Sequence, residues 1–206
     1  MEKYIYINGK QIPLTDEQVK QIISAYEGDR KQTKLAEIPA GGTFLIDGME
    51  FVVLEQTGET TAVVTKKILE TMAFGSTNNF DGSEVDDYCR EFAEDAFEKI
   101  GAENIVEHTV DLISDDGLKD YGAVNRAVSL LTTDQYRKYV DILDKHNPND
   151  WWWLATPHST ERHGNSSWVK CVSPAGFIHD DIFSYVGLGV RPFCILKSSI
   201  FVSSGQ

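Results

Sequence analysis

Apolar and polar residues alternate with a period of two over several short stretches and keep a helical period over three others. Tyr4-Ile5-Tyr6-Ile7, Asn8-Gly9 and Gln11-Ile12-Pro13 predict a strand, a tight turn and a returning strand. Thr15-Asp16-Glu17-Gln18 has the form of a capping box, and Val19, Ile22, Ile23 and Tyr26 keep helical spacing to about Gly28. The polar stretch 29–39 reads as a linker. Thr43 to Ile46 and Glu50 to Leu54 predict strands across an Asp47-Gly48 turn, and Thr60 to Lys66 is a third, β-branched strand. Ser83 is placed to cap a helix reaching about Ile100, with Val85, Cys89, Phe92, Ala93, Ala96 and Phe97 on one stripe. Ile105 to Leu112 alternates as one strand. Thr132-Thr133-Asp134-Gln135 opens a helix to about Leu143, and 146–150 break it. Strands follow at Trp151 to Ala155, Ser167 to Val172, around Phe177, and Gly189 to Leu196. Helices set among hairpins predict an α+β fold: a strand–helix appendage over 1–38 and a main domain over 40–202.

All four tryptophans lie between Trp151 and Trp168, three of them consecutive. On a strand, Trp151 and Trp153 would share one face and Trp152 the other, so both faces must be covered or one meets a partner. The long segment that follows, to Gly189, is rich in Ser, Gly, His and aromatic residues. Long irregular connections inside a compact domain are usually functional.

Composition narrows the classes. A chain of 206 residues with 41% hydrophobic and 25% charged residues has enough apolar material for one good core. No run approaches a membrane span, and no membrane insertion is expected. The first residues lack a secretory signal pattern, so a cytoplasmic or virion-associated location is the expectation. Three cysteines, Cys89, Cys171 and Cys194, without a CxxC pair read as buried thiols. The net charge of −13 is unevenly placed: 151–206 set Arg162, Lys170, Arg191 and Lys197 against Glu161, Asp180 and Asp181, a balance of +1, so the first 150 residues carry −14. So acidic a body repels phosphate backbones, and nucleic acid is not an expected partner.

Three ordered pieces carry a family resemblance. They are Trp151-Trp152-Trp153-Leu154-Ala155-Thr156-Pro157, Ser173-Pro174-Ala175-Gly176 after the Val169 strand, and Gly189-Val190-Arg191-Pro192-Phe193. Together they resemble the "WWLRSP … SxxG … GVRPAL" signature of bacterial and prophage proteins with a C-type-lectin-like fold. That fold is shared with formylglycine-generating enzymes and with the variable proteins of diversity-generating retroelements. Ala155-Thr156 departs from the usual Arg-Ser. The resemblance covers roughly 40–202 and implies a non-enzymatic scaffold that displays about 158–188 to a protein or glycan ligand on another surface. Diversification of that segment is a family expectation.

The residues expected to meet the ligand are His158, His163, Trp168, Phe177, His179, Asp180, Asp181, Phe183 and Tyr185; Trp151, Trp152, Trp153 and Arg191 are expected to build the frame. Rigid aromatics interleaved with small polar groups give contact area at low entropy cost. A fork of guanidinium donors suits locking two loops through a carboxylate or backbone carbonyls. The His, Cys and Asp residues between 158 and 181 match no known ligand spacing, so no metal and no cofactor is expected. The paired oxygen ligands of sugar-binding C-type lectins are not evident either. Two alternatives stay open: an enzyme of the formylglycine-generating or a metal-dependent type, for which Cys171 and Cys194 are the C-terminal thiols, and a virion structural protein assembling through 1–38. Self-association into a homo-oligomer is compatible with an exposed aromatic surface.

Overall fold

The computed structural model describes residues 3–7, 9–19, 21–22, 32–98 and 100–204. The chain is a mixed α+β protein dominated by sheet. β1 (Lys3–Ile7) and β2 (Lys10–Leu14) form the predicted hairpin and pair only with each other among the described residues. The next capping box is realised: the Thr15 hydroxyl accepts from the Gln18 amide at 3.2 Å, and the Gln18 side chain accepts from the Thr15 amide at 2.9 Å. Residues 16–19 and 21–22 are helical, and the rest of that predicted helix lies outside the described residues.

The chain joins the main body earlier than its polar character predicts. β3 (Gln32–Lys34) pairs with β17 (Phe201–Ser204), and Leu35 and Ile38 are buried. Two apolar residues in a polar stretch carry no periodicity, so only the long-range pairing reveals them.

β4 (Thr43–Ile46) and β5 (Met49–Gln56) meet across Asp47-Gly48, both with positive φ, the backbone that a two-residue hairpin requires. β6 (Thr60–Thr65) pairs with β5 and with β16 (Phe193–Lys197). The larger sheet runs β11 (Val128–Ser129), β16, β6, β5, β4, β17, β3, with β8 (Ile105–Val106) also on β16. The smaller sheet runs β14 (Ile178–Ile182), β13 (Trp168–Val172), β12 (Trp152–Pro157), β15 (Leu188–Val190), β7 (Glu70–Met72). β9 (His108–Asp111) and β10 (Ala123–Arg126) form a separate pair.

The central strands of both main sheets are covered on both faces. Phe51, Val53, Val63, Trp153, Ala155, Val169 and Cys171 enter a core shared with Val85, Cys89 and Phe92 of α1 (Glu84–Asp95). Their neighbours Val52, Leu54, Val64, Trp152, Leu154 and Val172 enter a second core with Tyr136 of α2 (Thr133–Lys138) and Leu143 of α3 (Val140–Leu143). A strand alternates its side chains between faces, so each strand feeds both cores.

Several elements differ from expectation, each where a long-range partner cuts a local pattern. The Ile105–Leu112 run splits, β8 going to the larger sheet and β9 to the separate pair. The Gly189–Leu196 run splits at Arg191-Pro192, so that β15 and β16 lie in different sheets. The helix begun at Ser83 ends at Asp95, and the one begun at Thr132 breaks at Tyr139.

Candidate binding surface

The tryptophan block separates a surface from its frame. Trp152 and Trp153 are fully buried on opposite faces of β12, whereas Trp151, one residue before the strand, is 37% exposed. Trp151 and Trp153 therefore do not form one buried face. Each buried indole has a partner for its N–H: Trp152 donates to Asn147 Oδ1 and Trp153 to the Met72 carbonyl, both at 3.0 Å. Trp151 instead stands edge-on to His179, with ring centroids 5.2 Å apart.

Arg191 sits where the chain passes from the smaller sheet to the larger. Its Nε donates to the Thr65 carbonyl at 2.8 Å and one Nη to the His146 carbonyl at 3.0 Å. Its guanidinium lies 5.0 Å from the centre of the Trp152 ring. Thr65 ends β6, the strand before the opposite crossover, so one side chain ties both crossovers and the 146 loop. The binding partners are backbone carbonyls. Burial of this cation pulls its pKa down to about 10. Gly189 allows the close approach here, because a Cβ at that position would lie 2.5 Å from the Ile68 side chain.

His158 and His163 belong to a clasp between two loops. Asp116 accepts from Ser159 Oγ at 2.7 Å and pairs with His163 Nδ1 at 2.8 Å. Hydroxyl donation from Ser114 and Ser159, with the His163 contact, outweighs burial and holds the Asp116 carboxyl well below the usual range. Asp120 binds Thr160 Oγ1 at 2.6 Å and also pairs with Arg162. Beneath them buried Asn78 donates to the Ser159 and Trp168 carbonyls at 2.8 and 3.0 Å and accepts from Tyr121 Oη at 2.7 Å. Lys170, 7% exposed, lies 3.3 Å from Asp115 and 3.4 Å from Asp180, and His158 Nδ1 is 3.7 Å from Asp180. Asp115 and Asp116 read along the chain as an acidic run, and only the loop some 40 residues away gives them a task.

The remaining expected residues meet at the outer edge of the smaller sheet. Phe177, 66% exposed, precedes β14; His179 and Asp180 are exposed on it, Asp181 is half-buried, and Tyr185 follows in the loop to β15. Trp168 and Ile182 form an exposed cross-strand pair on one face of the β13–β14 ribbon. Phe183 turns inward and packs on the first core. Val186, 67% exposed, joins the surface without having been singled out, since an aliphatic residue in a loop carries no sequence signal. The sequence-predicted residues thus divide between the clasp (His158, His163), the edge surface (Trp168, Phe177, His179, Asp180, Asp181, Tyr185) and the core (Phe183).

All three thiols are buried. Burial, with Asp181 and Asp180 nearby, pushes the Cys171 thiol up to about 12, and burial alone raises Cys194. Among the described residues no cluster of three or more His, Cys, Asp or Glu side chains is arranged to hold a metal ion. No helix is long and apolar enough to cross a membrane, among those same residues. Comparison with known proteins finds no matching family model, no matching curated protein and no matching solved structure.

Proposed function

We propose that this chain is a non-enzymatic recognition protein of the C-type-lectin-like kind, presenting the β14 edge and the loop after it to a ligand on another molecule. One observation carries the reading. Among the described residues from 32 onward, the exposed large apolar side chains are Trp151, Trp168, Phe177, Ile182, Tyr185, Val186 and Phe201, and all but Phe201 lie on β13 and β14 or on the segments flanking β12 and β14, Trp151 and Phe177 at one end of that ribbon and Trp168 and Ile182 at the other. Singly scattered apolar residues need no explanation, but a set gathered along one sheet edge and interleaved with His179, Asp180 and Asp181 has the make-up of an interface. The frame beneath supports it, since a buried, hydrogen-bonded sheet holds the surface rigid and lowers the entropy lost on binding. The high-lying, buried thiols of Cys171 and Cys194 favour binding over thiol chemistry.

The test is binding of the purified protein to a printed array of glycans and peptides, repeated with Phe177→Ser/Tyr185→Ser. The expected result is array binding that the double variant loses while its melting temperature stays unchanged. Retention of binding by the double variant would overturn the proposal.

A further inference from the structure

We infer that the ligand engages β14 by strand addition, and that it is an extended polypeptide segment alternating basic and apolar side chains. This rests on the recognition reading and assigns a chemistry to its partner. The backbone supplies the first argument. The Ser173 amide donates to the Phe177 carbonyl and the Phe183 amide to the Ser167 carbonyl, both at 2.9 Å. In an antiparallel ladder hydrogen-bonded residues alternate, so 177, 179, 181 and 183 face β13 while 178, 180 and 182 turn their amides outward. Ile182 is closed off: its amide donates to Asp181 Oδ1 at 2.7 Å and its carbonyl accepts from the Tyr185 amide at 2.9 Å. Ile178 and Asp180 are left presenting two donors and two acceptors along an edge that pairs with no other strand among the described residues. Such an edge is a template for another chain.

The side chains define what fits. A strand laid on this edge would place successive residues on alternate faces. One face offers His179 with Trp151 and Phe177 beside it, an apolar foothold. The other offers Asp180. Asp180 and Asp115 share Lys170, and Asp115 and Asp134 share Arg137, so this chain of ion pairs holds three carboxylates to two cations. A lysine or arginine opposite Asp180 and an apolar residue opposite His179 satisfy both, because cross-strand pairs of opposite charge are favourable and like charges are not. A chain of net charge −13 also attracts a basic segment at long range.

The probe is a fluorescein-labelled, end-capped Val-Lys-Val-Lys-Val-Lys peptide, read by fluorescence polarisation at low salt against the full chain. The expected result is saturable binding, weakened about tenfold or more by Glu in place of Lys, and abolished when every internal amide is N-methylated. Ile178→Pro removes an outward amide that β13 does not use; it loses some packing on the second core, and it is expected to abolish binding while circular dichroism shows the chain still folded. Asp180→Lys should transfer the preference to the Glu peptide; should that variant fail to fold, Asp180→Asn should erase the preference. Strand addition is overturned if the wild-type chain ignores the Lys peptide, if the N-methylated peptide binds equally, or if Ile178→Pro binds as wild type. A wild-type dimer in light scattering that Ile178→Pro dissolves would overturn it in favour of a second copy. Array binding lost through Phe177→Ser/Tyr185→Ser alongside an inert Lys peptide would leave the recognition surface standing and remove only strand addition.

Discussion

Replacing Trp151, Trp152 and Trp153 by alanine one at a time should yield one small loss and two large ones. Trp152 is fully buried, gives its N–H to Asn147, packs edge-on to Tyr136 with centroids 5.8 Å apart and lies under the Arg191 guanidinium. Truncation of a buried tryptophan costs ~3–5 kcal/mol in lost transfer energy and cavity. The unpaired Asn147 carbonyl and the uncovered guanidinium place Trp152→Ala at the upper end. Trp153 is equally buried, with Phe74 edge-on at 5.7 Å and its N–H on the Met72 carbonyl, so a loss of about 4 kcal/mol is expected there too. Trp151→Ala removes only a partly exposed ring against His179 and should cost under about 1 kcal/mol. Urea unfolding followed by circular dichroism measures all three. A near-neutral loss at the first position followed by two large ones is required. A costly Trp151→Ala, or a Trp152→Ala loss under about 1 kcal/mol, would refute a β12 buried on both faces and a surface that starts at Trp151.

Two titrating groups give separable acid responses. His108 donates to or accepts from Ser129 Oγ at 2.8 Å and stands edge-on to Phe193; burial pulls its folded pKa down to about 4, below the ordinary 6.5. The unfolded chain therefore binds the extra proton between those values. The stability that neutral His108 contributes is full above pH 6.5 and is lost as pH falls to 4, a drop of about 3 kcal/mol. Unfolding midpoints for His108→Gln should fall less over that window, and an equal slope would refute the assignment. Burial raises the Asp86 carboxyl, but two Arg126 donors at 2.7 Å and the Gly82 amide at 3.0 Å outweigh it and hold its folded pKa below the ordinary 3.8. Its contribution is complete above that value and is lost as pH falls through the lowered folded pKa. Asp86→Asn should cost about 3 kcal/mol at pH 7 in chemical denaturation and flatten the steepest part of the acid limb; an unaltered limb would count against the pair.

Where the chain bends back on near neighbours, the sequence was legible. Ser83 accepts from the Asp86 amide at 3.1 Å, and Thr132 and Gln135 complete a reciprocal capping box. These motifs depend on residues three apart. Val85, Cys89 and Phe92 fell on one buried stripe because a 3.6-residue period is a local property. The aromatic edge at 177–185 was also legible, as a composition. Its partition was not: Phe183 and Tyr185 are both aromatic in the same loop, yet only the first reaches the core.

The amino-acid order alone determined where the capped helices and the hairpin strands begin, because caps, tight turns and alternation are settled within a few residues and within one chain segment. Tertiary structure alone decided which indole faces solvent, which loop takes up Asp115 and Asp116, that one hydrophobic run serves two sheets on either side of Arg191, and that β14 is left at an edge. Those outcomes rest on pairings between segments tens of residues apart, whose free energies depend on which surfaces meet and which are left to water.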